Sequence, residues 1–189
     1  MSISVQFSGD GIARFNALAQ KLGDGTASKI YSRAINDTGK VAATATGRAL
    51  ADQTGLAKRT GAKAVKNQTR SSPATLSFEI NMQGGQIRVR YFRPRETEGG
   101  VSAAPRNHRQ VFVGSFMRAG FWPKRVDKPN WNRQVFYRVG KKFKVAKTDV
   151  IIPTEAVTGN TADTFDQSKD RLDTRVTHYL KRLEGGALS

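Results

Sequence analysis

The chain has 189 residues, with 32 Lys+Arg against 15 Asp+Glu for a formal charge of +17, and no cysteine. That length suits one domain, and the lack of cysteine excludes disulfide frameworks, thiolate nucleophiles and Cys-based zinc sites. No stretch approaches the roughly 18 consecutive apolar residues of a membrane span, and the N-terminus has no basic region followed by a long apolar one, so a soluble protein of cytosolic origin without membrane contact is expected.

After a short extended start at residues 2–7, Ile12, Phe15, Leu18, Ala19 and Leu22 fall at spacings of three and four, which predicts a helix over 11–22. GDGTAS at 23–28 reads as a turn, with Asp24, Thr26 and Ser28 as candidate N-caps for the next element. Residues 27–51 are rich in Ala and keep Ile30, Ala34, Ile35, Val41, Ala42, Ala45 and Leu50 near one stripe, predicting a long helix. Its small residues Ala42, Ala43, Ala45 and Gly47 invite close approach of another backbone. Gly39, unfavourable by about 1 kcal/mol in a helix interior, is a candidate bend. A helical piece that is basic on most faces follows at 56–66.

Ser71-Ser72-Pro73 punctuates the chain. TLSFEIN (75–81) and QIRVRYF (86–92) then alternate apolar and polar residues with period two, predicting a hairpin closed by Gly84-Gly85. In its second strand Ile87, Val89 and Tyr91 would face the core while Arg88, Arg90 and Phe92 face outward. RPRETEGGVSAAPRN (93–107) shows no periodicity and reads as a mobile loop. Strand character returns at 110–117, 134–139 and 143–152, with Gly140-Lys141-Lys142 as a second hairpin turn. Pro153-Thr154 ends the sheet region. Residues 164–183 place Phe165, Leu172, Val176, Tyr179, Leu180 and Leu183 on one face of an amphipathic helix that stops at Glu184-Gly185-Gly186. The whole predicts a single domain over 1–189 of α+β class: N-terminal helices in 1–70, a central antiparallel β-sheet with a long loop in 74–153, and a C-terminal amphipathic helix in 160–184.

Few residues suggest chemistry. The two histidines, His108 and His178, lie far apart with no motif around either, and no G-x-S-x-G element supplies a nucleophile. Glu79, Glu96, Glu98, Asp127 and Asp149 show no ligand spacing for a two-metal nuclease. GDGIAR at 9–14 and GDGTAS at 23–28 lack the phosphate-loop pattern and read as turns that begin helices. No cofactor, no metal and no catalytic residue are therefore expected.

The charge is the stronger signal. Residues 101–150 carry 12 basic and only 2 acidic side chains, whereas a merely solvated surface is met by mixed signs. The candidate contacts for DNA or an acidic partner are Arg88, Arg90, Arg93 and Arg95 in the first strands and the loop, then Arg106, Arg109, Lys124, Arg125, Arg133 and Arg138, and finally Lys141, Lys142 and Lys144. Phe92, Phe116, Phe121, Trp122, Trp131, Phe136 and Tyr137 are interleaved with them. Rings mostly serve packing, but a basic surface carrying aromatics is also the usual composition of a phosphate-contacting or assembly surface.

GSFMRAGF at 114–121 and NWNRQVFYRVGKKFKVAKTDVIIPTEAV at 130–157 resemble the minor tail protein Z (tail-completion) family of long-tailed phages and prophages. The matching residues are Phe116, Phe121, Trp131, Val135, Phe136, Arg138, Gly140, Lys141, Lys142, Val150, Ile151, Ile152 and Pro153. Arg33-Ala34-Ile35-Asn36, the basic piece at 56–66 and the basic middle also fit that layout. The resemblance implies a non-enzymatic virion protein, made in the host bacterial cytoplasm and added at the neck or head-proximal end of the tail. There it would support head-tail joining and placement of the DNA end. Implied partners are further copies in a homo-oligomeric ring, neighbouring neck and tail proteins (tail terminator, tail tube, connector), and phage DNA in the channel. The apolar helix faces of Ile30, Ile35, Val41 and Leu50 and of Leu172, Val176 and Leu180 are expected in the core or at the subunit interface. The competing expectation is a free basic nucleic-acid-binding module, for which the pI of about 10.7 is the main support.

Overall fold

The structure, a computed structural model, describes residues 11–184; the extended start at residues 2–7, Gly9-Asp10 of the first glycine turn and Gly185-Gly186 lie outside them. Helix α1 (Gly11–Leu22) is followed after Gly23 by α2 (Asp24–Thr54), a single 31-residue helix, and by the short α3 (Lys58–Ala64). The break between α1 and α2 is narrower than the predicted turn. Gly23 alone carries it, at φ 78°, with no side-chain cap, so Thr26 and Ser28 are inside the helix. Gly55 ends α2 in the left-handed conformation, its N–H on Ala51 O, the usual geometry of a glycine just past a helix C-terminus.

The strands are short: β1 (Asn67–Thr69), β2 (Glu79–Asn81), β3 (Gln86–Arg88), β4 (Arg95–Thr97), β5 (Gly100–Ala103), β6 (Gln110–Val113), β7 (Ser115–Phe116), β8 (Phe136–Val139), β9 (Lys142–Val145) and β10 (Lys147–Ile151). Three helices close the described chain: α4 (Ile152–Ala156), α5 (Gly159–Gln167) and α6 (Arg171–Glu184). The α+β class holds, with N-terminal helices, antiparallel strands and a C-terminal helix. The strands form several small sheets, ordered β1-β2, β10-β3, β4-β5-β6 and β7-β8-β9.

Three expectations are corrected. The hairpin of 75–81 with 86–92 does not form: β2 pairs with β1 (Ile80 opposite Gln68), and β3 pairs with β10 (Arg88 opposite Lys147). The alternation of the second strand also breaks, because residues Val89–Tyr91 make a 3-10 turn. Val89 and Phe92 are consequently buried while Tyr91 is exposed. Residues 93–107 are not a mobile loop but the strands β4 and β5, with all of Gly100–Ala103 buried. Gly100 sits at φ 149°, where a Cβ would stand 2.3 Å from Phe112 O, so the close strand contact needs glycine.

The predicted strand 110–117 changes sheet at Gly114 (φ 73°), and the strand 143–152 changes sheet at Ala146, whose N–H reaches Val135 O at 2.8 Å and whose carbonyl accepts from Val89 N at 3.1 Å. The β8-β9 hairpin forms around Gly140-Lys141 as expected.

One apolar cluster packs Ile35, Ala42, Ala43 and Leu50 of α2 against Phe78, Ile80, Ile152 and Phe165. A second joins Val89, Phe92, Val101, Val135 and Val150 beneath the sheets. A third sets Tyr31 and Ala34 against Val176, with Leu172 and Leu180 packed on it. Ile30, Ile35, Leu50 and Val176 are thus buried by the chain itself, and Leu172, Leu180 and Val41 are half-buried. Of the two roles expected for these faces the core role is the one observed, because α5 and α6 fold back onto α2. The fully buried members are closed to any subunit contact, while Val41, Leu172 and Leu180 stay partly open.

Candidate anion-binding surface

The cations of the middle segment divide into those held inside the fold and those left open. Arg106 donates from Nε and Nη2 to Glu155 Oε1 at 2.9 and 2.6 Å, and Nη1 donates to Asp149. These carboxylates raise the Arg106 pKa further above the ordinary arginine value, the Asp149 bond contributing most. Arg125 donates to Glu96, a carboxylate almost fully buried, which also accepts from Met117 N–H at 3.1 Å. Both arginines were expected on a contact surface. In the structure each is engaged inside the fold with a buried carboxylate, Arg106 with its side chain still 42% exposed and Arg125 sharing Glu96 with Arg118 at 3.9 Å.

Arg125 has a further consequence. Residues 119–126 form a projecting loop whose base is closed by Ala119 N–H to Val126 O and Val126 N–H to Ala119 O, at 2.9 and 2.8 Å. Arg118 to Asp127, at 2.9 Å, lies just outside that base. The loop so clamped presents Phe121, 91% exposed, with Trp122 and Lys124 beside it.

Arg88, Arg90 and Lys147 converge from β3, the following 3-10 turn and β10. Arg88 stands directly opposite Lys147 in the strand register, a like-charge pairing that is unfavourable unless an anion lies nearby. With the Gln134 amide oxygen facing them, Arg88 Nη1 and Arg90 Nη1 donate to Oε1 at 2.9 and 2.8 Å. Arg90 also reaches Asn132 O at 3.3 Å and lies 5.0 Å from the Tyr91 ring centroid. A cleft of about 620 Å³ opens here, lined by Arg90, Lys128 and Arg133 with Asp127 as its one carboxylate. Asn132 and Arg133 line it from a left-handed backbone at φ 48° and 54°.

The β8-β9 hairpin carries the rest. Cross-strand partners share a face, so Phe116, Phe136, Arg138, Phe143 and Val145 lie on one side, and Ser115, Tyr137, Val139, Lys142 and Lys144 on the other. Phe116, Phe136 and Phe143 gather around Trp131, with centroids 5.3 Å apart for Trp131–Phe136 and for Phe116–Phe143. Arg138 stands 5.5 Å from the Phe143 centroid. This ring cluster is open to solvent along Phe143. On the other side Tyr137 packs against the sheet core, and burial raises its pKa, while Lys142 and Lys144 are exposed, as are Lys141 in the turn and Arg93 and Arg95 around β4. Arg109 donates to Ser102 O and Oγ at 3.3 and 3.2 Å.

Sequence reasoning named the arginines but missed Gln134 as their shared acceptor and Glu155 as the sink for Arg106, since nothing local links residues 49 apart in the chain. His108 and His178 are both exposed. Among the described residues no group of three or more His, Asp or Glu is placed to hold a metal ion, and no helix is long and apolar enough to cross a membrane. No protein-family model matches the chain, and no curated protein and no solved structure matches it.

Proposed function

We propose that the chain is a non-enzymatic structural protein of a long-tailed phage particle, a tail-completion or neck component at the head-proximal end of the tail, present as several copies around the tail axis. The observation that carries this reading is the excess of exposed cations without carboxylate partners among the described residues, set beside exposed rings on a clamped loop. Arg88 facing Lys147 and the lysines of β9 repel one another in the isolated chain and lose that penalty against DNA or an acidic neighbour. The strand ending in Arg138-Val139-Gly140, the basic turn and the helix after Ile152-Pro153 support the resemblance of residues 114–157, although β9 and β10 stand where one strand was expected.

Subunit or neighbour contacts fall to the exposed apolar side chains Val111, Val113, Phe121 and Trp122, because the helix faces are largely occupied. Large exposed rings with a polar surround are the common anchors of protein interfaces. Negative-stain images of particles assembled without the protein test the reading: unjoined heads and tails, or joined but non-infectious virions, are expected. Normal infectious particles overturn it.

A further inference from the structure

A second basic concavity lies between α2 and α3, bordered by Gln68 of β1. Gly61 of α3 packs on Gly47 of α2 so closely that a Cβ at Gly61 would stand 2.2 Å from Gly47 O. The two helices therefore meet backbone to backbone and leave a cleft of about 580 Å³ beside the crossing. Its apolar lining is formed by the buried Ala43 and Val65 with the exposed Ala62. Its walls carry Arg48, Lys58, Arg59 and Lys66, all exposed, and no carboxylate lines it. Among the described residues none of these four cations has a salt-bridge partner. Thr44 and Gln68 add neutral hydroxyl and amide groups at the rim.

We infer that this α2–α3 cleft binds the sugar-phosphate backbone of duplex nucleic acid without regard to sequence. Four cations lining one cleft match the groups that contact phosphate oxygens, and the Gln68 amide keeps a second N–H beside the one given to Val65 O, whereas the Thr44 hydroxyl already donates to Lys40 O at 3.0 Å. No aromatic side chain lines the cleft, so it offers no platform on which the bases of a single strand could stack. A paired backbone, whose bases are already stacked, fits that chemistry better. This site is separate from the Arg88–Arg90 surface and does not depend on a virion role.

The test is binding of the full chain to a short blunt-ended DNA duplex of mixed sequence, read by fluorescence anisotropy across about 50 to 200 mM salt. The Arg48→Ala/Lys58→Ala/Arg59→Ala/Lys66→Ala variant should bind at least about tenfold more weakly at the lower salt, and its salt slope should shrink by roughly one per cation removed. An Arg88→Ala/Arg90→Ala variant should keep the contribution of the α2–α3 cleft. On the wild-type protein, duplex should protect Lys58 and Lys66 from acetylation, a readout that no folding defect can mimic. Wild-type duplex affinity and slope in the quadruple variant would overturn the inference, as would unprotected lysines. Tighter binding of a single strand than of the duplex through these residues would overturn it too, as would their binding anionic lipid vesicles but not duplex. A virion role fails separately, in the particle images.

Discussion

At Gly39, in the middle of α2, a Cβ would stand 2.3 to 2.6 Å from three atoms of the Phe78 ring. The glycine is there for the ring to lie against the helix backbone, not to bend the helix, and Phe78 is fully buried. Gly39→Ala would gain about 1 kcal/mol of helix propensity but force an overpacking cost near the top of the usual 1–3 kcal/mol range. A net loss of roughly 2 kcal/mol is expected from urea denaturation; a variant as stable as wild type would sink this account.

Tyr179 docks α6 onto α2 by donating its hydroxyl to Asp37 Oδ2. That bond, then burial, then the charge of Asp37 hold the phenol pKa above its ordinary value, against lowering by Arg175 and Arg182. The folded state therefore keeps the proton longer than the unfolded state. The stabilisation is fully present below the ordinary value near 10 and is lost as pH rises through the higher folded pKa. Tyr179→Phe should cost about 1 kcal/mol at neutral pH, and the gap between the two proteins should hold up to the ordinary tyrosine value of about 10 and narrow only as pH rises above it. Because Tyr137 titrates in the same direction in both proteins, the difference isolates Tyr179; a gap that stays constant with pH contradicts the assignment.

Between elements, Glu155 of α4 is the junction. It accepts from Arg106 on one side and from Gln53 Nε2 of α2 at 2.9 Å on the other, while Gln53 Oε1 accepts from Thr161 N and Oγ1 of α5 at 3.0 and 2.8 Å. Removing one partner of a buried pair typically costs 3–5 kcal/mol. The Arg106 side chain is 42% exposed, which scales Arg106→Met down to about 2 kcal/mol. Adding Glu155→Gln to that variant should restore part of the loss by removing the stranded charge, and a purely additive double variant would refute the coupling.

Helices were legible because their signal is local: the stripes through α2 and α6 needed no knowledge of what they pack on. Strand pairing was not, since the partners of β2 and β3 lie elsewhere in the chain and period two says nothing about which edge is joined. Three residues of 3-10 turn at Val89–Tyr91 were enough to exchange Tyr91 and Phe92 between surface and core. The buried strand β5 (Gly100–Ala103) escaped notice because its side chains are small and its flanks hold Gly99 and Pro105, marks of a loop in any local reading.

For the whole molecule the dominant quantity is the charge of +17. Exposed cations repel over about 10 Å at 0.1 M salt and further at lower salt, so the isolated protein should gain stability as salt is added. Urea is the denaturant to use, because guanidinium would itself screen the charge; a urea midpoint that does not rise with sodium chloride would show that the repulsion is already relieved within the fold. The overall cationic excess was plain from composition. The division of the arginines into internal clamps and open contacts was not, because it depends on where Glu96, Asp149 and Glu155 arrive in space.

The chain has two tryptophans, and both belong to the candidate surface in unlike settings: Trp122 on the projecting loop, 45% exposed, and Trp131 among the rings of Phe116, Phe136 and Phe143. The protein's native emission is thus a pair of optical probes already built into the region of interest. Trp122 is open to a collisional quencher and Trp131, half-buried among its rings, is less so, so an occupant of the loop would announce itself as a blue-shifted, less quenchable spectrum without any dye attached.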